Sequence, residues 1–308
     1  MIIITTPVHP IIFDSLSEKG LQFKHLPNAN YNELLEQITE ATGLIVATQI
    51  TIDKRMIDSA TNLKWIGRLG SGMEHIDVVY ANSKNIRCVS SPEGNRTAVA
   101  EHALGLLLCL MRNISKSNNE VKKRIWLREE NRGIELNGKT VGIIGFGNTG
   151  SAFARLLSAF NVTVLAHDKY KQGFGNEYII ESTVEAITQR ADVISFHLPL
   201  TNETKHIAND AFFKKLQKKP YIINTSRGSI IDTKKLREAI ENDSIKGAAL
   251  DVLENEKLSS YSEIENDDFN FLSSSENVLL TPHIGGYSFE ASFQLSNVLL
   301  KKIEPFLK

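Results

Sequence analysis

The chain has 308 residues, a length that suggests about two domains. Apolar residues make up 42% and charged ones 23%, a globular composition that excludes a disordered or collagen-like chain. Lys and Arg number 35 against 36 Asp and Glu, so the net charge is −1 and no positive excess exists for nucleic acid or an anionic membrane; neither is expected as a partner.

The N-terminus, Met-Ile-Ile-Ile-Thr-Thr-Pro, is apolar but short, without a basic start or a small-residue cleavage site, so no signal peptide is expected. Ile2–Thr5 reads as a strand and Leu44–Ala47 as another. In Thr51–Asn62 the residues Ile52, Met56, Ile57 and Ala60 recur at helical spacing. Leu63–Arg68 and Ile86–Val89 read as two more strands, and strands separated by helical patterns predict a parallel α/β sheet. A long helix is predicted from about Thr97 to Lys123, apolar in its first half, followed by a polar segment Arg124–Gly138; a domain boundary is expected near this helix and loop. The apolar run Ala98–Met111 inside it is broken by Glu101 and His102 and falls short of the roughly 18 residues a bilayer span needs, so a cytoplasmic protein is expected. Cys88 and Cys109 lie in apolar stretches without metal-like spacing, so neither a disulfide scaffold nor a metal site is expected.

From Lys139 a regular alternation begins. Strands are predicted at Val141–Ile144, Val162–Ala166, Val193–Phe196, Tyr221–Asn224, Gly247–Val252 and Val278–Leu280. Helices are predicted at Asn148–Phe160, Ser182–Arg190, Asn209–Leu216 and Asp232–Glu241, the last with Asp232 as its cap. Val- and Ile-rich strands alternating with helices read as a doubly wound parallel sheet. Ser259–Ser275, polar and acidic, reads as a surface loop, and Ser288–Phe306 as a closing helix.

The first of these strands runs into Gly145-Phe146-Gly147-Asn148-Thr149-Gly150, the pattern G-x-G-x-x-G. Its first glycine permits a tight turn, the second lets backbone approach a pyrophosphate, and the third lets helix pack on strand. The helix N-terminus offers free N–H groups to phosphate. Asp168, ending the next strand about 20 residues on, can bond both ribose hydroxyls and would repel a 2′-phosphate, so NAD is expected rather than NADP. Lys169 and Lys171 stand beside it. Three further polar residues follow strand ends: Arg227 in Asn-Thr-Ser-Arg-Gly, Glu256 in Asp251-Val-Leu-Glu-Asn-Glu256, and His283 in Thr-Pro-His-Ile-Gly-Gly. Ligands of open α/β sheets bind beyond the carboxyl ends of strands. Reducing a 2-oxo acid needs a proton donor, for which His is suited, a carboxylate to fix its tautomer, and an arginine fork for the substrate oxygens. Each residue alone has a bland alternative: a salt-bridged Arg, a solvated Glu, a turn His.

These motifs, with His197-Leu-Pro-Leu-Thr201, resemble in order and spacing those of the D-isomer-specific 2-hydroxyacid dehydrogenases over nearly the whole chain. The resemblance implies an α/β protein of two doubly wound parallel-sheet domains, a Rossmann NAD domain inserted in a flavodoxin-like substrate domain. The substrate domain would comprise residues 1–95 and 287–308, and the NAD domain residues 96–286 including the long dimer helix. It implies that Arg227 holds the substrate carboxylate and carbonyl, that His283 is the acid/base, and that Glu256 is its partner, with Glu254 and Glu263 bystanders. Leu198, Thr225 and Ser226 match segments lining the cofactor, Asp251 the contact to the nicotinamide carboxamide, and Gly285 and Gly286 the neighbouring glycines. Gly70-Ser71-Gly72 looks like the loop whose N–H groups bind the substrate carboxylate. The resemblance also implies a homodimer, a cleft that closes by hinge motion, and a small 2-hydroxy or 2-oxo acid as substrate.

Within the family the chain is most similar to short-type D-3-phosphoglycerate dehydrogenases, in which Arg68 would stand near the substrate phosphate and the product would enter serine synthesis. Ala47 departs from them, since they commonly carry arginine there, which leaves room for an unphosphorylated acid of the hydroxypyruvate or glyoxylate type. The chain ends at Lys308 after its last helix, so no C-terminal regulatory domain is expected. Two other readings use the same fold. One is an NADH-sensing scaffold that binds proteins. The other is formate oxidation, where glutamine usually replaces Glu256.

Overall fold

In the computed structural model of the protein the chain forms two compact units, one of Met1–Arg96 with Tyr287–Lys308, the other of Thr97–Gly286. The structure describes residues 1–307; Lys308, the last residue of the expected substrate domain, lies outside them.

The first unit runs β1 (Ile2–Ile4), α1 (Ile11–Glu18), β2 (Phe23–His25), α2 (Tyr31–Gln37), β3 (Gly43–Val46), α3 (Lys54–Ser59), β4 (Trp65–Arg68), α4 (Val78–Ser83) and β5 (Arg87–Ser90). All five strands are parallel, in the order β2-β1-β3-β4-β5, which is the flavodoxin-like arrangement. β1 is buried on both faces, which is why it reads as a plain isoleucine run. Ile3 joins Leu44, Val46 and Ile66 under Leu34, Met56 and Ile57 on one face. Ile2 and Ile4 join Ile45 and Trp65 under Leu299, Leu300 and Ile303 of the last helix on the other. Short helices are pinned at their starts by side chains: Asn30 and Glu33 form a reciprocal capping box, and Asp53 and Asp77 cap α3 and α4.

The second unit begins with α5 (Arg96–Met111) and α6 (Ile114–Lys122). Here the expected single helix 97–123 is corrected. Asn113 takes the left-handed conformation, φ 54°, which interrupts the helical hydrogen bonding, and the two pieces meet at 63°. No single helix among the described residues is long and apolar enough to cross a membrane. The series continues with β6 (Thr140–Ile144), α7 (Asn148–Leu157), β7 (Thr163–His167), β8 (Ile179–Glu181), α8 (Val184–Arg190), β9 (Val193–Phe196), α9 (Asp210–Lys214), β10 (Tyr221–Asn224), α10 (Thr233–Glu241), β11 (Gly247–Leu250), α11 (Glu263–Ser274) and β12 (Val278–Leu280); α12 (Phe289–Ile303) returns to the first unit.

The expected surface loop 259–275 is also corrected, since it contains α11. Ser262 and Glu265 close a capping box at its start, Leu272 is buried, and Phe271 packs partly buried against the same core, so the cap and a short apolar edge set a helix in a mostly polar segment. The seven parallel strands lie in the order β12-β11-β10-β9-β6-β7-β8. Strand order reverses between β6 and β9, the place where such sheets open a ligand crevice at their carboxyl ends. The sheet's two faces bury separate cores, one with Val141, Ile143, Phe153 and Leu157, the other with Ile144, Ile194, Ile222 and Leu236.

Candidate active site

The glycine-rich turn leaves β6 with Gly145 at φ 97°, a conformation that glycine adopts without strain, and an added Cβ there would collide with the His197 carbonyl. At Gly150 a Cβ would collide with the carbonyl oxygen of Gly145, so α7 approaches the turn as closely as backbone allows. At Gly147 a Cβ would meet nothing within 4 Å; this is open space in front of the helix start. α7 has no side-chain cap and no acidic residue in its first turn, so its leading N–H groups, at Asn148 and Thr149, face an uncontested space suited to an anion. Beneath the turn, His197 sits buried with Nε2 2.9 Å from Ser195 Oγ and Nδ1 3.3 Å from Thr149 Oγ1. Burial pushes its imidazole down to about 4, so it is a neutral strut at pH 7.

Asp168 directly follows β7, and its oxygens also hold protein. Oδ2 accepts from Phe146 N at 2.8 Å, and Oδ1 accepts from Tyr170 N and Lys171 N at 2.9 and 3.0 Å. Lys171 Nζ donates to Phe146 O at 3.1 Å, so both peptide groups of the turn residue Phe146 are tied to this segment. Next to it, Leu198 stands close to Gly145, and Thr225 Oγ1, after β10, is a buried hydroxyl with no partner among the described residues. Such an orphaned hydroxyl, an open helix start and a strand-end carboxylate together fit a dinucleotide.

The three candidate catalytic residues stand after β10, β11 and β12, which are neighbours in the sheet. The structure brings His283 and Glu256 together, Nδ1 to Oε2 at 2.9 Å. Both side chains are 46% exposed, and so open a pair adds about 1 kcal/mol or less to stability. Its value is orientation: a carboxylate at Nδ1 takes that N–H and leaves Nε2 as the working nitrogen. His283 has φ 55°, unusual for a residue with a side chain. Arg227 is held in extended conformation, its Nη1 donating to Ser226 O at 2.7 Å. Asn224, unremarked in the motif, organises that turn: its Oδ1 accepts from Ser226 N and Oγ, and its Nδ2 donates to Arg227 O at 2.9 Å.

Asp251 is 1% exposed and binds the next loop rather than open space. Its Oδ1 accepts from Thr281 Oγ1 at 2.6 Å and Ile284 N at 2.9 Å, and its Oδ2 accepts from Gly285 N at 2.8 Å. Burial would raise its carboxyl, but donors from His102, Thr281, Gly285 and Ile284 outweigh that and hold it below the usual carboxylate value. Gly285 is buried because of this: a Cβ would come within 2.9 Å of Asp251 Oδ2 and 3.3 Å of His102 Cδ2. Gly286 follows it, half-buried. Glu254, expected to be a bystander, is a tie. It bonds His206 Nε2 at 2.5 Å and accepts from Thr233 N at 2.9 Å, linking the segments after β9, β10 and β11. Sequence reasoning assigned no role to Asn224, His102, Thr281 or His206. The one signal among them was His102, a polar residue inside an apolar helix.

The other loop belongs to the first unit. Gly70 has φ 136° with the Arg68 guanidinium lying over it, and its N–H donates to Ser91 Oγ at 3.1 Å. Ser71 Oγ lies 3.4 Å from Asn95 Oδ1; Ser71 is exposed and Gly72 half-buried.

Residues 104–285 match the family model described as D-isomer specific 2-hydroxyacid dehydrogenase, NAD binding domain. The D-3-phosphoglycerate dehydrogenase of Methanocaldococcus jannaschii is 33% identical over 312 residues, covering 100% of this chain and 57% of the relative. Against relatives of this kind the chain thus spans little more than half the length. The hydroxypyruvate reductase of Thermotoga maritima is 36% identical over 276 residues, 88% of this chain and 87% of the relative. Among solved structures, the D-lactate dehydrogenase of Aquifex aeolicus, complexed with NAD and lactic acid, superposes with a TM-score of 0.86 at 26% identity, covering 99% of this chain and 94% of that one.

Proposed function

The chain belongs to the D-isomer specific 2-hydroxyacid dehydrogenase family and carries its NAD-binding domain, and from that premise we propose that it transfers hydride between NAD(H) and a D-2-hydroxy acid or its 2-oxo acid. The observation that carries this reading is the His283–Glu256 pair, exposed at the ends of adjacent strands with Nε2 left to work. NADH, when bound, supplies the hydride to the carbonyl carbon. Protonated His283 gives its Nε2 proton to the carbonyl oxygen as the C=O bond becomes a C–O–H bond, while Glu256 holds the imidazole at Nδ1. Arg227 grips the substrate carboxylate with its planar fork. Oxidation is the reverse, with neutral His283 accepting the hydroxyl proton. In this reading Gly145, Gly147, Asn148, Thr149 and Gly150 would hold the pyrophosphate of NAD, Asp168 its ribose, and Leu198, Thr225 and Ser226 would line the crevice.

The substrate reading is D-3-phosphoglycerate and its oxo acid, which would put the protein in serine synthesis. It is supported by the M. jannaschii relative and by Arg68 lying against the Gly70 turn, where an anion would need a cation. A specific observation favours a second reading, an unphosphorylated acid such as hydroxypyruvate. Ala47 stands where those enzymes commonly place arginine, and the T. maritima relative matches this chain over most of both lengths. The reading extends to a homodimer in the cytoplasm; the exposed apolar side chains Ile114, Val121, Ile125, Trp126 and Leu127 of and after α6 support the dimer, since burying them against a partner is favourable.

The test is NADH oxidation with 3-phosphohydroxypyruvate, hydroxypyruvate, glyoxylate and pyruvate. Turnover confined to the phosphorylated acid supports the first reading, and preference for hydroxypyruvate the second. Tight NADH binding without turnover of any 2-oxo acid overturns the enzyme and leaves an NADH-sensing scaffold.

A further inference from the structure

His102 lies in α5, far in sequence from every loop that carries a candidate catalytic group, yet its ring reaches the loop of His283. Its Nε2 is 3.0 Å from Thr281 Oγ1 and 3.3 Å from Asp251 Oδ1. Direction follows from the donors available. Thr281 Oγ1 gives its only proton to Asp251 Oδ1 at 2.6 Å, so toward His102 it accepts, and His102 Nε2 carries the hydrogen. A donor chain therefore runs from His102 through Thr281 to the buried carboxylate.

That carboxylate organises the loop. Asp251 takes Thr281 Oγ1, Ile284 N and Gly285 N on its two oxygens, and its main-chain carbonyl accepts from His283 N at 2.8 Å. His283 thus sits between residues clamped on both sides, and it does so at φ 55°. A left-handed conformation in a residue with a Cβ persists only where its surroundings over-determine it. Here the clamp supplies that constraint, and His102 is the one donor in it from outside the strand-end loops.

We propose that His102 is a positioning residue for His283, acting through Thr281 and Asp251 to hold the proton donor in its strained conformation against Glu256. The proposal rests on the reading of His283 as the acid/base. It distinguishes His102 from a packing residue, because a packing residue needs its volume whereas this role needs a hydrogen at the Nε2 position.

The experiment uses the full-length protein and the substitutions His102→Leu, His102→Gln and Thr281→Val. Glutamine keeps a donor at the reach of Nε2; leucine fills the space without one. With the best 2-oxo acid of the panel, H102L lowers kcat by about tenfold while the Kd for NADH, followed by fluorescence, moves by no more than about twofold. H102Q recovers most of the loss. The double variant H102L/T281V is no slower than the slower single variant, because both cut one chain. A second measurement does not depend on turnover. Amide exchange at Ile284 and Gly285, whose N–H groups bond Asp251, becomes about tenfold faster in H102L and stays near the wild-type rate in H102Q.

Wild-type kcat in H102L overturns the proposal, as do equal losses in H102L and H102Q or strictly additive losses in the double variant. Should the unmodified protein turn over no 2-oxo acid, the functional reading falls and exchange decides the tether: unaccelerated exchange at Gly285 in H102L overturns it.

Discussion

The second unit holds its two candidate functional loops in opposite ways. The turn after β6 is made by the absence of side chains: Gly145 and Gly150 let backbone lie against backbone, and Gly147 leaves a space open. The loop after β12 is made by side chains converging on one buried carboxylate, Asp251, and His283 is held at φ 55°. The difference follows from what each must present. Phosphate is bound by N–H groups and helix dipole, which are available to any sequence once Cβ atoms are removed. A proton donor must be one imidazole nitrogen at one place, and only a network of specific partners fixes that. The first loop should therefore fail sterically and the second chemically, and substitutions in each can break or sharpen that contrast.

The largest effect is expected at the second loop. On the proposed reading His283→Ala removes the proton donor and should lower kcat by about a thousandfold, since general acid catalysis contributes roughly 10²–10⁴. The Kd for NADH should hardly change. Turnover near the wild-type rate would remove His283 from the mechanism and erase the contrast.

At the first loop two alanines separate shape from space. Gly150→Ala drives a Cβ into the Gly145 carbonyl and should destabilise the fold by about 1–3 kcal/mol, read as a lower Tm, by overpacking a backbone contact that has no room to relax. Gly147→Ala meets no protein atom within 4 Å, so Tm should stay at the wild-type value while NADH affinity falls, by about tenfold. Equal Tm losses in both variants would show that Gly147 serves the fold and that the open space is not a ligand site.

The contrast also accounts for what was readable beforehand. A glycine pattern between a strand and a helix is readable by itself, whereas Arg227, Glu256 and His283 each have a bland alternative alone and take their expected roles from the family resemblance. Six of the second unit's seven strands were legible because buried parallel strands are apolar throughout; β8, an edge strand with two of its three residues exposed, was missed. β2 was not legible either, since Phe23-Lys-His25 is an edge strand of mixed polarity with two of its three residues exposed. α11 was hidden by its polar composition and is set by a capping box. The break at Asn113 depends on one residue's left-handed backbone, which sequence periodicity does not register. Asp251 and His102 act through partners 30 to 179 residues away in sequence, and a pairing of that kind exists only after the sheet has formed.

His197 extends the comparison to pH. Folded, its imidazole is pushed down to about 4 by burial, against an ordinary value of 6.5. Between these values the unfolded chain binds a proton that the folded chain does not, so stability falls as pH drops through that window, by roughly 1 kcal/mol per pH unit for this group. Above pH 6.5 its contribution is complete. His197→Gln keeps a polar group near Ser195 and Thr149 and should flatten the Tm profile between pH 6.5 and 4. An unchanged slope would mean that other groups set the acid limb.

The smallest expected effect tests whether the second loop is held as a network or by Asp251 alone. Glu254 ties His206 and Thr233 across the segments following β9, β10 and β11, two residues before Glu256. Its side chain is 30% exposed, so losing the tie should lower stability by only about 1 kcal/mol or less. The catalytic consequence reaches further than the stability one, because the same segment carries the partner of His283. Glu254→Gln should reduce kcat by about two- to threefold without moving the Kd for NADH. Glu263→Gln, at the start of α11 and outside these ties, should leave kcat unchanged. If both variants behave alike, the segment after β11 needs no support beyond Asp251, and the side-chain network that sets this loop apart from the glycine turn shrinks to a single carboxylate and its donors.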